Sequence, residues 1–279
     1  MVEWHTRQWG ELPCVGVTLP GGDCAWVSLY GAQVLSWVSQ GRERMFLSPR
    51  AHLDGRHPVR GGVPVCWPQF NQRGLHDKHG FARQKHWRVH AQRSAGAHAE
   101  IELSLRQDTQ TLRRWPQAFD LNLCLQISPG QLHLQLSVHN PSPTRMVFSG
   151  ALHTYLAVDD VRQAQLLGLQ GQAEWNAVTD VHGVASAQPV FDAAFDRVYT
   201  APPHPLTLVD GAHRLRLAQS SWSQTVVWTP GPTLSAQLDD MAEDSWTRML
   251  CVEAAQVDTP LFLDPAHTWV GTQTLTVEN

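Results

Sequence analysis

Residues 119–140 read FDLNLCLQISPGQLHLQLSVHN and carry the clearest structural pattern in the chain. Apolar residues alternate with polar ones from Leu121 to Ile127, and the alternation returns from Leu132 to Val138 after a Ser-Pro-Gly turn. A spacing of two matches a β-strand, whose successive side chains point to opposite faces of the sheet. The stretch therefore predicts a β-hairpin that buries one of its faces.

Strand-like patterns extend outward from this hairpin in both directions. They cover residues 14–19, 24–38, 87–98, 98–107, 206–217, 222–228 and 248–253. The evidence for helix is thin and is confined to residues 236–247. No strand–helix–strand spacing and no internal repeat recurs, so we predict an all-β, mainly antiparallel fold. With 279 residues and 42% hydrophobic content, we expect residues 1–279 to form one domain with a substantial core.

The overall charge argues against a polyanionic partner. Charged residues make up only 16% of the chain and the formal net charge is −4. Nucleic-acid binding needs a dense field of Lys and Arg, so no nucleic-acid partner is expected. Any recognition of an anion must be the property of a local pocket.

Five cysteines occur, at Cys14, Cys24, Cys66, Cys124 and Cys251. Their number is odd, they are widely scattered, and none forms a Cys-x-x-Cys pair. Neither a disulfide framework nor a thiolate zinc site is indicated, which favours a reducing cytoplasm. The first 13 residues are polar and no apolar run approaches the ~18 residues of a membrane span, so we expect neither export nor a membrane partner.

Fifteen histidines raise the possibility of a metal site. His76 and His79, with His52 or His57, could be imagined as ligands. No repeated His/carboxylate spacing supports that arrangement, so no required metal and no cofactor is expected.

Residues 60–83 form the most irregular stretch, RGGVPVCWPQFNQRGLHDKHGFAR. Its prolines remove backbone donors and its glycines permit conformations closed to other residues, so the segment must bend. Val63, Val65, Trp67 and Phe70 would anchor it to the core. Such a loop can bind a ligand through its basic side chains, or it can be a buried connection whose arginines only satisfy carbonyls.

Five motifs together resemble the hexose-6-phosphate mutarotases, the glucose-6-phosphate 1-epimerase branch of the aldose 1-epimerase superfamily. The paired signature is Arg60–Pro68 (RGGVPVCWP) followed by His79–Arg83 (HGFAR). Ala151–Tyr155 (ALHTY), Asp196–Tyr199 (DRVY) and Cys251–Glu253 (CVE) follow in the order of that family. The resemblance thus spans nearly the whole chain and implies a large β-sandwich of the galactose-mutarotase type.

Three positions depart from the pattern of that family. Lys78 stands where a small or amide residue is more common, Asn71 where glycine is usual, and Ala254-Ala255 where Pro-Gly is common. The last change concerns only a local turn, whereas Lys78 adjoins residues expected near the sugar.

The resemblance implies a catalytic role for two residues that the sequence alone leaves ambiguous. A lone histidine in a strand, such as His153, is usually structural, and Glu253 could lie on the solvent face of an edge strand. In the family, the matching histidine is the general acid that protonates the ring oxygen, and the matching glutamate is the general base at the anomeric hydroxyl.

The same resemblance implies the substrate-binding residues. Asp196 and His79 would contact sugar hydroxyls, although an Asp–Arg surface pair and a packed loop histidine are the plainer alternatives. Arg60, Lys78 and Arg83 would hold an anionic phosphate or nearby sugar oxygens.

We therefore predict an isomerase that interconverts the anomers of a hexose 6-phosphate, with glucose 6-phosphate as the expected small-molecule substrate. We expect the protein to be a cytoplasmic monomer. The alternatives are a mutarotase of free hexoses such as galactose, and a carbohydrate-binding sandwich without turnover. No Gly-x-Ser-x-Gly, Gly-Lys-Ser/Thr or Gly-x-Gly-x-x-Gly motif occurs, so hydrolase, kinase and dehydrogenase functions have no support.

Overall fold

A computed structural model describes residues 1–278. Its helices are α1 (Thr109–Arg114) and α2 (Gly231–Ser235), with single 3₁₀ turns at Ala82–Gln84 and Ser245–Arg248. Its strands are β1 (Glu3–Trp9), β2 (Leu12–Thr18), β3 (Cys24–Ser28), β4 (Val34–Ser39), β5 (Arg42–Glu43), β6 (Val65–Cys66), β7 (Arg88–Ala95), β8 (His98–Arg106), β9 (Asp120–Ser128), β10 (Gln131–His139), β11 (Met146–Leu152), β12 (Tyr155–Ala157), β13 (Gln165–Leu167), β14 (Ala173–Asn176), β15 (Val181–Val184), β16 (Phe195–Thr200), β17 (Leu206–Asp210), β18 (His213–Ser220), β19 (Gln224–Thr229), β20 (Met249–Leu263) and β21 (Thr268–Glu278).

The strands assemble into three sheets. Strands β1 to β5 form a five-stranded sheet in sequence order. The hairpin sheet has the order β13-β17-β18-β21-β10-β9-β8-β7. The cleft sheet has the order β15-β14-β16-β19-β20-β11-β6, with β12 also paired to β20. The central pairs of both large sheets are antiparallel, which confirms the predicted fold class.

The predicted hairpin at residues 119–140 is confirmed as β9 and β10. Leu125 lies opposite Leu134 in the antiparallel register, and both side chains are buried. The other strand predictions are confirmed as well, from β2 near the start of the chain to β20 near its end. The apolar faces of the hairpin sheet and the cleft sheet share one core cluster, in which Leu123 belongs to the first and Val252 to the second. The two large sheets therefore form a sandwich.

A second, smaller cluster lies on the other face of the cleft sheet. It includes Val198 of β16, Val226 of β19 and Ala255 of β20. Alternation along β20 sends neighbouring residues to opposite faces, so Val252 joins the main core while Glu253 faces away from it. This outer face is the floor of the candidate site.

The loop at residues 60–83 is anchored as predicted. Val63, Val65, Trp67 and Phe70 are all buried, and the short strand β6 inside the loop pairs with β11. Gly62 has a φ of 60°, in the left-handed region that favours glycine. The loop therefore changes direction at Gly62 and pairs with the cleft sheet only through the short strand β6.

We expect Gly62→Ala to lower the free energy of unfolding by at least ~2 kcal/mol, because it combines a left-handed φ with a backbone clash. A Cβ at Gly62 would lie 1.9 Å from the carbonyl oxygen of Val34. Gly183→Ala is the matched control, since nothing lies within 4 Å of a Cβ built there. Denaturant unfolding of both variants measures the difference, and equal stabilities would contradict this account of the loop.

The predicted helix at residues 236–247 is wrong. Helix α2 ends at Ser235, and the chain then forms turns until the 3₁₀ turn that begins at Ser245. A proline near the start of α2 fits its first turn, but the following Ala236–Asp244 segment packs over the cleft without continuing the helix. In residues 1–278, no helix is both long and apolar enough to cross a membrane.

Candidate active site

Strand register brings His153 and Glu253 together. Leu152 of β11 lies opposite Ala254 of β20, and Tyr155 of β12 lies opposite Cys251. His153 sits in the break between β11 and β12, and it therefore faces Glu253. Its backbone N–H donates to the carbonyl of Pro64 in the loop, at 3.0 Å. Two strands and the loop thus fix the position of this histidine.

The two side chains are close and almost fully buried. His153 Nδ1 lies 3.3 Å from Glu253 Oε1, with side-chain exposures of 10% and 1%. His153 Nδ1 and Glu253 Oε2 have no hydrogen-bond partner of good geometry in residues 1–278. Buried polar atoms left in this way are costly unless a ligand satisfies them.

Burial shifts the pKa values of the pair in opposite directions. It raises the pKa of Glu253 well above 4.5, and the nearby carboxylate of Asp196 adds to that rise. It lowers the pKa of His153 well below 6.5, and the positive charges of Arg83 and Arg60 lower it further. Both shifts favour the uncharged form of each group.

Aromatic neighbours hold the His153 ring in place. The ring stacks on Tyr155 with a centroid distance of 4.7 Å and an interplanar angle of 9°. His79 and Trp228 contact it edge-on, at 5.4 Å and 6.2 Å. The imidazole is therefore fixed in orientation as well as in position.

His79 is set up as a neutral donor. Its Nδ1 accepts a hydrogen bond from the backbone N–H of Asn71 at 3.2 Å, which leaves Nε2 to carry the proton. Burial lowers the pKa of His79, and His153 and Arg83 lower it further. Asn71, which replaces the usual glycine of the family, has a φ of 50°. Asparagine tolerates that conformation better than most residues, so the turn survives the substitution.

Arg60 is tied to the protein. Its Nε contacts both carboxylate oxygens of Asp240, at 3.2 and 3.1 Å, and its Nη1 donates to the Tyr155 hydroxyl at 3.3 Å. Sequence reasoning missed Asp240, which carries no motif and lies 180 positions from its partner. Tyr155 belongs to the ALHTY motif, but the motif alone indicated no role for it.

Lys78 and Arg83 differ from Arg60 because neither makes an ion pair with a carboxylate in residues 1–278. Arg83 donates through Nη2 to the Lys78 carbonyl at 2.7 Å, and its buried Nε lacks a partner within the same residues. Burial lowers the pKa of Lys78, and the charges of Arg60 and Arg83 lower it further. Burial also raises the pKa of Asp196 to about 6.

One cavity of about 420 Å³ unites these residues. A volume of this size is typical of a site for a small molecule. All seven residues that the sequence predicted for the site line it, namely Arg60, Lys78, His79, Arg83, His153, Asp196 and Glu253. Trp175 also lines the cavity, and Arg73 lies 4.0 Å above its ring, so these two bridge the loop and β14.

One group of side chains in residues 1–278 has the donor types and the proximity that could hold a metal ion. His153, Cys251 and Glu253 each place one ligand atom within 4.8 Å of the others. The four histidines considered from the sequence, His52, His57, His76 and His79, do not form such a group within those residues.

Comparison with known proteins identifies the family. The family model described as aldose 1-epimerase matches residues 17–276. The chain belongs to the aldose 1-epimerase family. An Escherichia coli K12 member named "Putative glucose-6-phosphate 1-epimerase" is 30% identical over 262 residues, which cover 89% of this chain and 85% of that protein.

Solved structures share the fold of this chain. A "putative mutarotase" from Salmonella typhimurium superposes with a TM-score of 0.91 at 28% identity, covering 99% of this chain and 94% of that chain. A galactose mutarotase related enzyme from Lactobacillus acidophilus superposes with a TM-score of 0.74 at 12% identity, covering 99% and 98%. The predictions of the family and of the galactose-mutarotase type of β-sandwich are confirmed.

Proposed function

We propose that this aldose 1-epimerase family member interconverts the α and β anomers of a hexose 6-phosphate, with glucose 6-phosphate as the favoured substrate. The observation that carries the proposal is the buried pair of His153 and Glu253 in a cavity that also holds two cations without carboxylate partners. The named relative from E. coli supports the same substrate. The reaction needs only proton transfers, so no cofactor enters it.

In the proposed reaction, Glu253 removes the proton from the anomeric hydroxyl while His153 protonates the ring oxygen. The C1–O5 bond breaks, the hydroxyl oxygen becomes the aldehyde oxygen, and C1 can rotate about its bond to C2. Closure on the other face of the carbonyl returns both protons. Because both oxygens are bonded to C1, an acid and a base only 3.3 Å apart can reach them together.

A bound phosphate favours the charged forms of His153 and Glu253 that the proposed reaction requires. The cations Arg83, Arg60 and Lys78 depress the pKa of His153 in the free protein. A phosphate dianion beside Arg83 and Lys78 offsets part of that effect, which favours protonated His153 and ionised Glu253. The substrate itself thereby helps to move the proton to the residue that acts as the acid.

Arg83 is the best-placed phosphate ligand. Its unpartnered Nε and its freedom from carboxylates leave a guanidinium that can make paired, charge-assisted hydrogen bonds. Arg60 is neutralised by Asp240 and braced against Tyr155, so we assign it to the sugar side of the cavity. Lys78 supplies the second cation, and Asp196 and the His79 N–H bind hydroxyls.

We expect Arg83→Ala to raise KM for glucose 6-phosphate by about 10- to 100-fold, the loss of ~1.5–3 kcal/mol from a charged hydrogen bond. The slow reaction of free glucose should not fall, because free glucose never makes this contact. Arg88→Ala, on the exposed strand β7, removes the same charge away from the cavity and serves as control. Steady-state kinetics with both sugars decide the matter, and an equal loss for both would show that Arg83 supports the loop or the sugar ring.

Two other functions make different demands on the site. A mutarotase of free hexoses such as galactose has no use for Lys78 and Arg83 without carboxylate partners. A sandwich that only binds carbohydrate has no use for a buried acid beside a buried base, which is unfavourable for stability. Rates of anomerisation with glucose 6-phosphate, glucose and galactose separate these functions. A free-hexose mutarotase would show no preference for the phosphate, and a carbohydrate-binding sandwich would show no turnover.

A further inference from the structure

His153 and Glu253 of the cavity form a potential metal-binding cluster with the neighbouring Cys251, which is buried beneath them. Each offers one ligand atom, and these atoms all lie within 4.8 Å of one another. We propose that the three side chains bind a thiophilic divalent cation such as zinc, and that an ion bound there switches off the epimerase. The binding claim stands on the geometry alone, whereas the inhibition rests on the proposed function.

The backbone holds the three ligands in place. Cys251 and Glu253 are two residues apart on β20, so their side chains emerge on the same face. Tyr155 pairs with Cys251, which places His153 on the adjacent stretch of chain. All three residues are buried, with exposures of 8% for His153, 0% for Cys251 and 1% for Glu253.

The donor set suits zinc in kind, and its spacing is close to what zinc requires. Zinc takes thiolate, imidazole and carboxylate ligands in tetrahedral geometry at ~2.0–2.3 Å, which separates the ligand atoms by roughly 3.3–3.8 Å. Rotation of the Cys251 and Glu253 side chains would bring ligand atoms that now lie within 4.8 Å of one another to that spacing, while the stacked His153 ring stays in place. A thiolate in the set favours zinc and other soft ions over magnesium and calcium. His153 and Glu253 line the cavity while Cys251 does not, so the fourth position opens toward the cavity.

Two of the three residues carry a buried polar atom without a hydrogen bond of good geometry in residues 1–278, which is the second observation that points to a ligand. His153 Nδ1 and Glu253 Oε2 are buried without a hydrogen bond in residues 1–278. A bound cation would satisfy a ring nitrogen and a carboxylate oxygen at once.

The charges balance when the ion binds. The Cys251 thiol loses its proton to solvent as the sulfur–metal bond forms, and any proton on Glu253 leaves in the same way. One thiolate and one carboxylate then neutralise the dication. Arg60, Arg83 and Lys78 oppose a positive ion here, and the Asp196 carboxylate favours it. Because binding releases protons, it strengthens as pH rises.

The consequence for activity is direct. A bound ion occupies a ring nitrogen of His153 and the carboxylate of Glu253. His153 can then no longer donate a proton and Glu253 can no longer accept one, so neither proton transfer proceeds. Cys251 takes no part in the proposed reaction, and it therefore separates metal binding from catalysis.

The test uses the full chain and cobalt(II) alone as a spectroscopic substitute for zinc. We expect metal-free protein to develop a near-ultraviolet thiolate-to-cobalt band and tetrahedral visible bands on titration, and zinc to displace the cobalt. Cys251→Ala should lose the thiolate band. Cys66→Ala, which removes a neighbouring buried thiol outside the cluster, should keep it.

Enzyme kinetics complete the test. Zinc should inhibit the wild-type and Cys66→Ala proteins, a chelator should restore both, and Cys251→Ala should need at least ~10-fold more zinc for half-inhibition. A thiolate band that persists in Cys251→Ala, or the absence of any such band in the wild type, would overturn the metal site. Equal zinc sensitivity of the wild type and Cys251→Ala would overturn the switch. A Cys251-dependent band in a protein with no epimerase activity would support the site and count against the proposed function instead.

Discussion

Glu253→Gln should leave the fold intact and lower kcat for glucose 6-phosphate by at least ~10²-fold, the lower range for the loss of a general base. The amide has nearly the same shape as the carboxyl group but cannot accept the anomeric proton. Binding of the sugar phosphate should change little, because the cations that hold the phosphate lie elsewhere in the cavity. Glu243→Gln removes a carboxylate from an exposed position and should be as active as the wild type.

The pH dependence of the free energy of unfolding shows whether Glu253→Gln is folded and whether Glu253 carries the shifted pKa. The pKa of Glu253 is raised on folding above its ordinary value of 4.5, so the folded protein holds a proton that the unfolded chain releases as pH rises above that value. Stability therefore declines with pH in the wild type through this residue, and the glutamine variant lacks that decline. Denaturant unfolding at pH 5 and pH 8 should show a smaller loss of stability in Glu253→Gln. Near-normal turnover in the variant would remove Glu253 from the mechanism.

His153→Asn should lower kcat by a similar factor of at least ~10²-fold, because asparagine cannot donate a proton to the ring oxygen. The double variant with Glu253→Gln should lose far less than the product of the two single losses, because acid and base act in one proton relay. His90→Asn, on the exposed strand β7, is the control. Measured kcat values for the four proteins form the cycle, and losses that multiply would mean that the two residues act independently.

Local patterns predicted most of the fold because they depend only on neighbouring residues. The period of two in residues 119–140 is sufficient to predict β9 and β10, and the glycines and prolines of residues 60–83 predict a bent loop. The prediction of a helix at residues 236–247 was wrong because the conformation of that segment follows its contacts over the cleft. Those contacts include the Asp240 bond to Arg60, which joins residues 180 positions apart.

The candidate site was predictable in its members but not in its geometry. The motifs of the family name His153 and Glu253, but only the register of β11, β12 and β20 places them 3.3 Å apart. The sequence named Arg60 and Arg83 as cations of the site without a partner for either, whereas the structure pairs Arg60 with Asp240 and leaves Arg83 without a carboxylate in residues 1–278. No sequence pattern grouped Cys251 with His153 as possible metal ligands, because about a hundred residues separate the two.

The central claim is that the cavity accelerates anomerisation of a hexose 6-phosphate by proton transfer alone. The most direct measurement is the rate of anomerisation of glucose 6-phosphate, compared with free glucose and galactose, by the full chain in the presence of a chelator. We predict turnover without any added cofactor and a kcat/KM for glucose 6-phosphate at least ~10-fold above that for either free sugar. An equal or higher value for a free hexose, or no acceleration of any sugar over the buffer rate, would contradict it.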